Sequence, residues 1–304
     1  MSTSLARSRR AGFTLLELIL ALCIGLVVLT TATALTAATW QSVRGSVIRE
    51  DVTRNARYIG VTLQRDIQET GVDLASSVDF GTLAVWNDTI AILRVPYAPA
   101  APGQYPLSQA NFPNGVCGQA CLDIQTGGAV PELSVGDLAR VQVNNVRRLI
   151  YVTAVNPVNG GYRVQFANTA TLLQHGAGIQ GLAINPANAF IQRLGVAVYW
   201  RENGRLLRAT VLNPDLSLRA EAVATGVQTL TARLIFTDGS EAARADDGSD
   251  GNANNDYDDI TALRVQVMLQ GERTDPRVNG GRPVQRLLQW WFAPRNLTYD
   301  RNRG

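Results

Sequence analysis

The chain has 304 residues, of which 46% are hydrophobic, enough to bury one large core or two modest ones. Its net charge of +3 comes from Arg7, Arg9 and Arg10, because the 28 basic residues less these three leave 25 against 25 acidic ones. Every basic residue is Arg, which reflects genomic base composition more than chemistry. The balance gives no sign of a nucleic-acid partner, and no local Arg cluster is visible along the sequence.

Residues 1–12 form a basic, polar leader that ends in Arg9-Arg10-Ala11-Gly12. From Phe13 to about Ala38 the chain is apolar, and the run to Trp40 exceeds the roughly 20 residues that a helix needs to cross a hydrocarbon core of about 30 Å. Glu17 carries the one appreciable charge between Phe13 and Gln41 and lies one turn past Phe13. A carboxylate at that depth is costly unless it has a partner or sits near the interface. An ordinary secretory signal cut after Ala32-Thr33-Ala34, or a plain membrane anchor, would also place an apolar run here. A glutamate is foreign to an ordinary signal, however, and the run is nearly twice the usual length of one.

Gly12-Phe13-Thr14-Leu15-Leu16-Glu17-Leu18 resembles the class III signal of the type IV pilin and pseudopilin family. The resemblance implies cleavage by a prepilin peptidase between Gly12 and Phe13 and methylation of the new Phe13 amine. It also implies that Glu17 pairs with the terminal amine of a neighbouring subunit and so sets assembly register. An ammonium and a carboxylate are each costly in lipid and tolerable as a pair, which agrees with that role. The implied location is the inner membrane, single-pass, before assembly, and the pilus or cell surface after it.

Beyond Trp40 the helical period continues amphipathically. Val43, Val47, Ile48, Val52, Ala56, Ile59, Leu63 and Ile67 form one apolar stripe, and charged residues including Arg65, Asp66 and Glu69 fill the other faces. Gly71 is the natural stop, so the helix is expected from Phe13 to about Thr70, with a membrane half followed by a half packed on a domain. The uneven spacing argues against a free coiled coil.

From Val72 the period changes to two. Residues 83–86 and 90–95, around Asn87-Asp88-Thr89, read as a β-hairpin. Residues 96–136, rich in Pro, Gly, Ala and Asn, read as a largely irregular excursion. Strands at 137–143, 149–155 and 162–166 suggest a meander, and residues 168–188 are weakly patterned. A second β block is expected at 194–201, 206–212, 227–237, 260–269 and 284–292, with Asn203-Gly204 as the clearest hairpin turn. No helix-length crossover separates these strands, so the sheet should be antiparallel. In the last of them Trp290 and Trp291 would alternate faces, one of them packed in the core.

Cys117 and Cys121 lie in a glycine-flanked segment and, in an exported domain, read as a disulfide closing a tight loop. Cys23 packs within the apolar helix. No catalytic constellation is read from the sequence: His175 is the only histidine, and neither a nucleophile elbow nor a Walker loop occurs, so neither enzymatic activity nor an organic cofactor is expected. The acidic stretch 246–259 offers hard oxygen ligands, with Asp246, Asp250, Asp256 and Asp258 as candidate calcium ligands. Against the EF-hand template it fails at Gly248 and Tyr257, and a solvated, turn-rich loop explains the same composition.

Gly226-Val227-Gln228-Thr229-Leu230, the acidic loop, the strand Ile260 to Leu269 and the closing Arg295-Asn296 resemble the large minor pilins of PilW type, with the J-type pseudopilins of type II secretion as near relatives. The chain has no proline between Phe13 and Pro96, where major pilins of the family often carry one early in the helix; together with its size this favours a minor subunit. The expected architecture is α+β: leader 1–12, helix 13–71 with a membrane part at about 13–38, and a β-rich domain 72–304. The expected role is nucleating or capping a type IV pilus. The partners implied are the major and other minor pilins, the inner-membrane assembly platform, prepilin peptidase and membrane lipid. A secretion pseudopilin is one alternative; a tip adhesin or DNA-uptake subunit, using residues 96–136, is another.

Overall fold

The computed structural model describes residues 14–96, 103–108, 111–112, 121–168, 182–183, 187–213, 217–246, 248–272, 274, 276 and 279–297. The architecture is α+β, a long N-terminal helix followed by antiparallel sheets. The chain divides into two units, Met1–Asp51 with Arg273–Val284, and Val52–Glu272 with Gln285–Gly304.

In the first unit, helix α1 (Leu15–Gln68) begins with apolar side chains that are exposed throughout, from Leu15 to Trp40. This helix is long and apolar enough to cross a membrane. Its threonines do not leave hydroxyls orphaned: Thr31 Oγ1 donates to Val27 O at 3.0 Å and Thr36 Oγ1 to Ala32 O at 2.8 Å, one turn back. Val43 and Val47, expected on the packed stripe, are exposed.

In the second unit, the rest of α1 buries Val52, Ala56, Ile59, Leu63 and Ile67, spaced by three or four residues, in a core with strand residues such as Ile90, Leu230 and Val265. Asp66 departs from expectation. It lies three residues past Leu63, within the buried stripe, and is 1% exposed. After the helix, Gly71 takes φ +70° and its amide donates to Leu93 O at 3.1 Å. From the C-terminal end, Asn296 Nδ2 donates to Gln68 O (3.3 Å) and Thr70 O (3.0 Å), occupying carbonyls that the helix end leaves without partners.

The strands are β1 (Leu83–Trp86), β2 (Thr89–Arg94), β3 (Tyr105–Pro106), β4 (Asn111–Phe112), β5 (Cys121–Gln125), β6 (Leu138–Val143), β7 (Val146–Val158), β8 (Gly161–Asn168), β9 (Leu182–Ala183), β10 (Ala189–Glu202), β11 (Arg205–Leu212), β12 (Leu218–Thr225), β13 (Val227–Phe236), β14 (Glu241–Ala242), β15 (Ile260–Gln270) and β16 (Gln285–Phe292). The large sheet runs β1-β2-β10-β6-β7-β8-β5, with β3 and β11 also on β10 and β12 on β11; a second runs β14-β13-β15-β16, and β4 pairs with β9.

Strand β10 organises the large sheet by changing partners midway. Residues 189–194 pair with β6, and residues 195–199 with β2. Its halves therefore line different cores: Ile191 belongs to the cluster of β5–β8, and Tyr199 to the one that receives α1. The hairpin turns carry the expected residues, with Asn87 and Asp88 at φ 45° and 61° and Asn203 and Gly204 at 49° and 72°, both pairs left-handed as two-residue turns of the I′ kind require.

Three strand readings are corrected. The stretch 96–136 is not simply irregular, because Cys121–Gln125 pairs with β8, driven by the alternately placed apolar Leu122 and Ile124, both buried. Strand β7 runs from Val146 to Val158, longer than expected, with a register shift between Val152 and Ala154. Strand β12 was not anticipated, since Ala, Glu and Arg carry little strand signal; it forms by pairing along β11.

Candidate functional site

Two places concentrate polar groups on α1, its first turn and its last. At the first, Thr14 precedes the helix and Glu17 follows three residues on. The Thr14 amide and hydroxyl both donate to Glu17 Oε2 at 3.1 Å, and the Glu17 amide donates to Thr14 Oγ1 at 3.3 Å. This reciprocal capping box satisfies amides that a helix start leaves unpaired and places a negative charge at the positive end of the helix dipole. Among the described residues, both bonds to the carboxylate fall on Oε2, and Oε1 has a lone pair for a further donor. Gly12 and Phe13 lie outside the described residues.

Residues 7–33, which contain this turn and the start of the apolar helix, match the family model of the prokaryotic N-terminal methylation motif. The chain therefore carries a prepilin-type N-terminal signal. No curated protein matches the chain. The prepilin-type signal and the apolar helix that follows fit membrane anchoring.

The last turns of the helix hold an ion cluster that the sequence pattern does not reveal. Arg208 grips Asp66 with two bonds, Nε to Oδ2 at 2.7 Å and Nη2 to Oδ1 at 3.1 Å, and sends Nη1 to Glu221 Oε1 at 2.7 Å. The Tyr199 hydroxyl donates to Asp66, and Arg94 reaches both Asp66 (3.7 Å) and Glu69. Register assembles this cluster, because Tyr199, Arg208 and Glu221 stand opposite one another across β10, β11 and β12. Burial, then the bond to Asp66, raises the Tyr199 pKa above that of an ordinary tyrosine; Arg208's own bonds to Asp66 raise that of Arg208. The group is therefore a fixed anchor, neutral phenol and paired ions, between the helix and the sheet. The only sequence signal for it is Asp66 falling in step with Ile59 and Leu63.

A third polar concentration lies in the loop between β14 and β15. Asp246 accepts from Ser249 N (2.7 Å) and Asp250 N (3.1 Å), and Asp250 accepts from Asn252 N (2.7 Å) and Asn255 Nδ2 (2.9 Å). These two carboxylates hold the loop's own backbone and side chains. The carboxylates that converge are Asp256, Asp258 and Asp259, with one oxygen from each within 4.8 Å of the others. Asp259, within the acidic stretch but not among the candidate ligands, belongs to that trio, whereas the candidates Asp246 and Asp250 do not. Burial first, then Asp258, Asp259 and Asp246, raises the Asp256 pKa, while the Gly248 amide opposes the shift.

The remaining sites divide simply. Cys121 opens β5 and is buried, whereas Cys117 lies outside the described residues, as does His175. Cys23 is free and exposed on α1. Trp290 turns toward α1, where a Cβ at Gly60 would come within 2.9 Å of its Nε1; Trp291 faces outward, with the Arg264 guanidinium 5.5 Å from its ring centroid.

Proposed function

We propose that this protein is a minor subunit of a type IV pilus that helps nucleate or cap the fibre, and that its role is assembly without catalysis. In this reading, prepilin peptidase cuts between Gly12 and Phe13, the Phe13 amine is methylated, and the apolar part of α1 holds the subunit in the inner membrane until extraction by the assembly platform. Glu17 then accepts the amine of a neighbouring major or minor pilin.

The observation that carries the proposal is the methylation motif at residues 7–33 running into a helix whose single early carboxylate already has an internal partner. Thr14 supplies two donors to Glu17 Oε2, which lowers the cost of holding the carboxylate in lipid until assembly, while Oε1 remains for an incoming ammonium. An unbroken helix from Leu15 to Gln68, with no proline to kink it, suits a subunit that differs from a major pilin. The same signal serves secretion pseudopilins, so the test has two arms. Mass spectrometry of the mature protein should find an N-methylated Phe13 at its start, and purified pili should contain the protein. A start at Met1 or after Ala34 removes the assembly reading; a correct start with absence from pili moves the role to a secretion pseudopilus.

A further inference from the structure

We propose that the loop between β14 and β15 binds a calcium ion through the carboxylates of Asp256, Asp258 and Asp259. Calcium takes oxygen ligands at about 2.3–2.6 Å, so two ligands on opposite sides of it stand about 5 Å apart. Three carboxylate oxygens within 4.8 Å of one another therefore match the span of one ion.

An acidic cluster alone would prove little, but Asp256 adds an independent sign. Its side chain is 3% exposed, and its Oδ1 is buried without a hydrogen-bond donor among the described residues. A buried carboxylate oxygen needs a donor or a cation, since it can only accept. Charge around it makes the need sharper, because carboxylate oxygens of Asp258 and Asp259 lie within 4.8 Å of its own. Arg147 is the cation nearby on another strand. Burial lowers its pKa against the opposing charges of Asp79 and Asp258, and its Nη1 donates to Ala75 O at 3.0 Å. It therefore offsets part of the Asp258 charge and leaves Asp256 Oδ1 without a donor.

The backbone holds these ligands in place before any ion arrives. Residues Tyr257–Asp259 form a single 3-10 turn, and Tyr257 is buried against Gly81 between the acidic side chains. On the other flank, the Asp246 amide donates to Asn255 O at 2.9 Å, which closes the loop at its base. Asp258 is exposed and opens the site to solvent. Oxygen ligands without nitrogen or sulfur select a hard cation, and an irregular site with one exposed carboxylate suits calcium better than magnesium, which demands a near-octahedral shell and dehydrates reluctantly. Affinity in the range of extracellular modules, about 10⁻⁴ to 10⁻³ M, is expected. None of this depends on the pilin reading.

The test uses the full chain in detergent micelles, stripped with a chelator and titrated with calcium chloride by calorimetry and by thermal melting. A single saturable site with a rise in Tm is expected, with magnesium chloride at equal concentration at least tenfold weaker. Asp256→Asn should melt above the wild type without calcium, because it removes a repelled charge, and should lose the calcium-dependent rise. The exposed Asp258→Asn, which leaves the core untouched, should weaken calcium binding tenfold or more. No calcium-dependent heat or Tm shift in the wild type overturns the proposal. So do equal responses to calcium and magnesium, or Asp258→Asn binding calcium as the wild type does.

Discussion

Asp66 and Arg208, 142 positions apart in the chain, meet in a two-bond pair of 2.7 and 3.1 Å that ties the last turns of α1 to β11. Such a pair contributes little net stability compared with apolar packing, but breaking it leaves a charge stranded. Asp66→Ala removes two of the three carboxylate bonds of Arg208, leaving it the exposed Glu221, and removes the acceptor of the Tyr199 hydroxyl. Unfolding by urea in detergent should show a loss of about 3–5 kcal/mol. The neighbouring pair Arg65–Glu69, at 3.9 Å with both partners exposed, is the control, and Arg65→Ala should cost no more than about 0.5 kcal/mol.

The same cluster predicts a pH dependence in the alkaline range. The folded pKa of Tyr199 is raised, by burial and by Asp66, above its unfolded value of about 10. The neutral phenol is thus favoured in the fold, so its contribution is fully present below about pH 10. Above that pH the unfolded chain loses the proton and the folded one retains it, and stability should fall by about 1.4 kcal/mol per pH unit. Tyr199→Phe should remove that part of the slope between pH 10 and 11, read from urea midpoints at each pH.

Much of this fold is legible from residue pattern. The helix, the strands of both β blocks and the two tight turns follow from period and from Asn, Asp and Gly at left-handed positions, because those features act locally. What the pattern hides is created by pairing between distant segments. Strand β12 has a sequence that suits a helix or a loop as well, and β5 lies in a Pro- and Gly-rich stretch whose pairing with β8 decides its form. The same holds for the sites. Glu17 stands out because it is the single early charge in an apolar run, whereas Asp66 is one acid among many on a charged helix and is distinguished only by the partners that β10 and β11 bring. Likewise Asp259 cannot be told from its neighbours until Tyr257 is seen to turn inward and set the two acids after it.

Gly81 tests that inward turn. A Cβ there would lie 2.2 Å from Tyr257 Cδ1, with no left-handed backbone angle to complicate the outcome. Gly81→Ala must displace a fully buried ring, and overpacking of this kind costs about 1–3 kcal/mol. A lower urea midpoint is expected. The double variant Gly81→Ala with Tyr257→Leu should recover part of the loss relative to Tyr257→Leu alone, because the clash is then gone.

Cys121 heads β5 opposite Gln165, and a bond from it to Cys117 would pin the start of that strand. Mass mapping of the purified protein under non-reducing conditions should find the Cys117–Cys121 disulfide. A loop this short restricts the unfolded chain only modestly, so Cys117→Ser with Cys121→Ser should lose about 2 kcal/mol.

Glu17 faces two demands that a pair of substitutions separates. As the third residue of a capping box it steadies the first turn of α1, a service worth about 1 kcal/mol that Thr14 shares. In the proposed assembly, its carboxylate also offers charge to an ammonium from another subunit. Glu17→Gln retains an oxygen acceptor for the Thr14 donors and loses the charge, whereas Thr14→Val retains the charge and loses the hydroxyl. If charge pairing sets assembly register, Glu17→Gln and Glu17→Ala should both abolish incorporation into pili with urea midpoints unchanged, since the core of the second unit contains neither residue. Thr14→Val should still incorporate, at reduced yield. Incorporation of Glu17→Gln at the wild-type level, measured by immunoblot of sheared pili, would show that capping alone explains the glutamate.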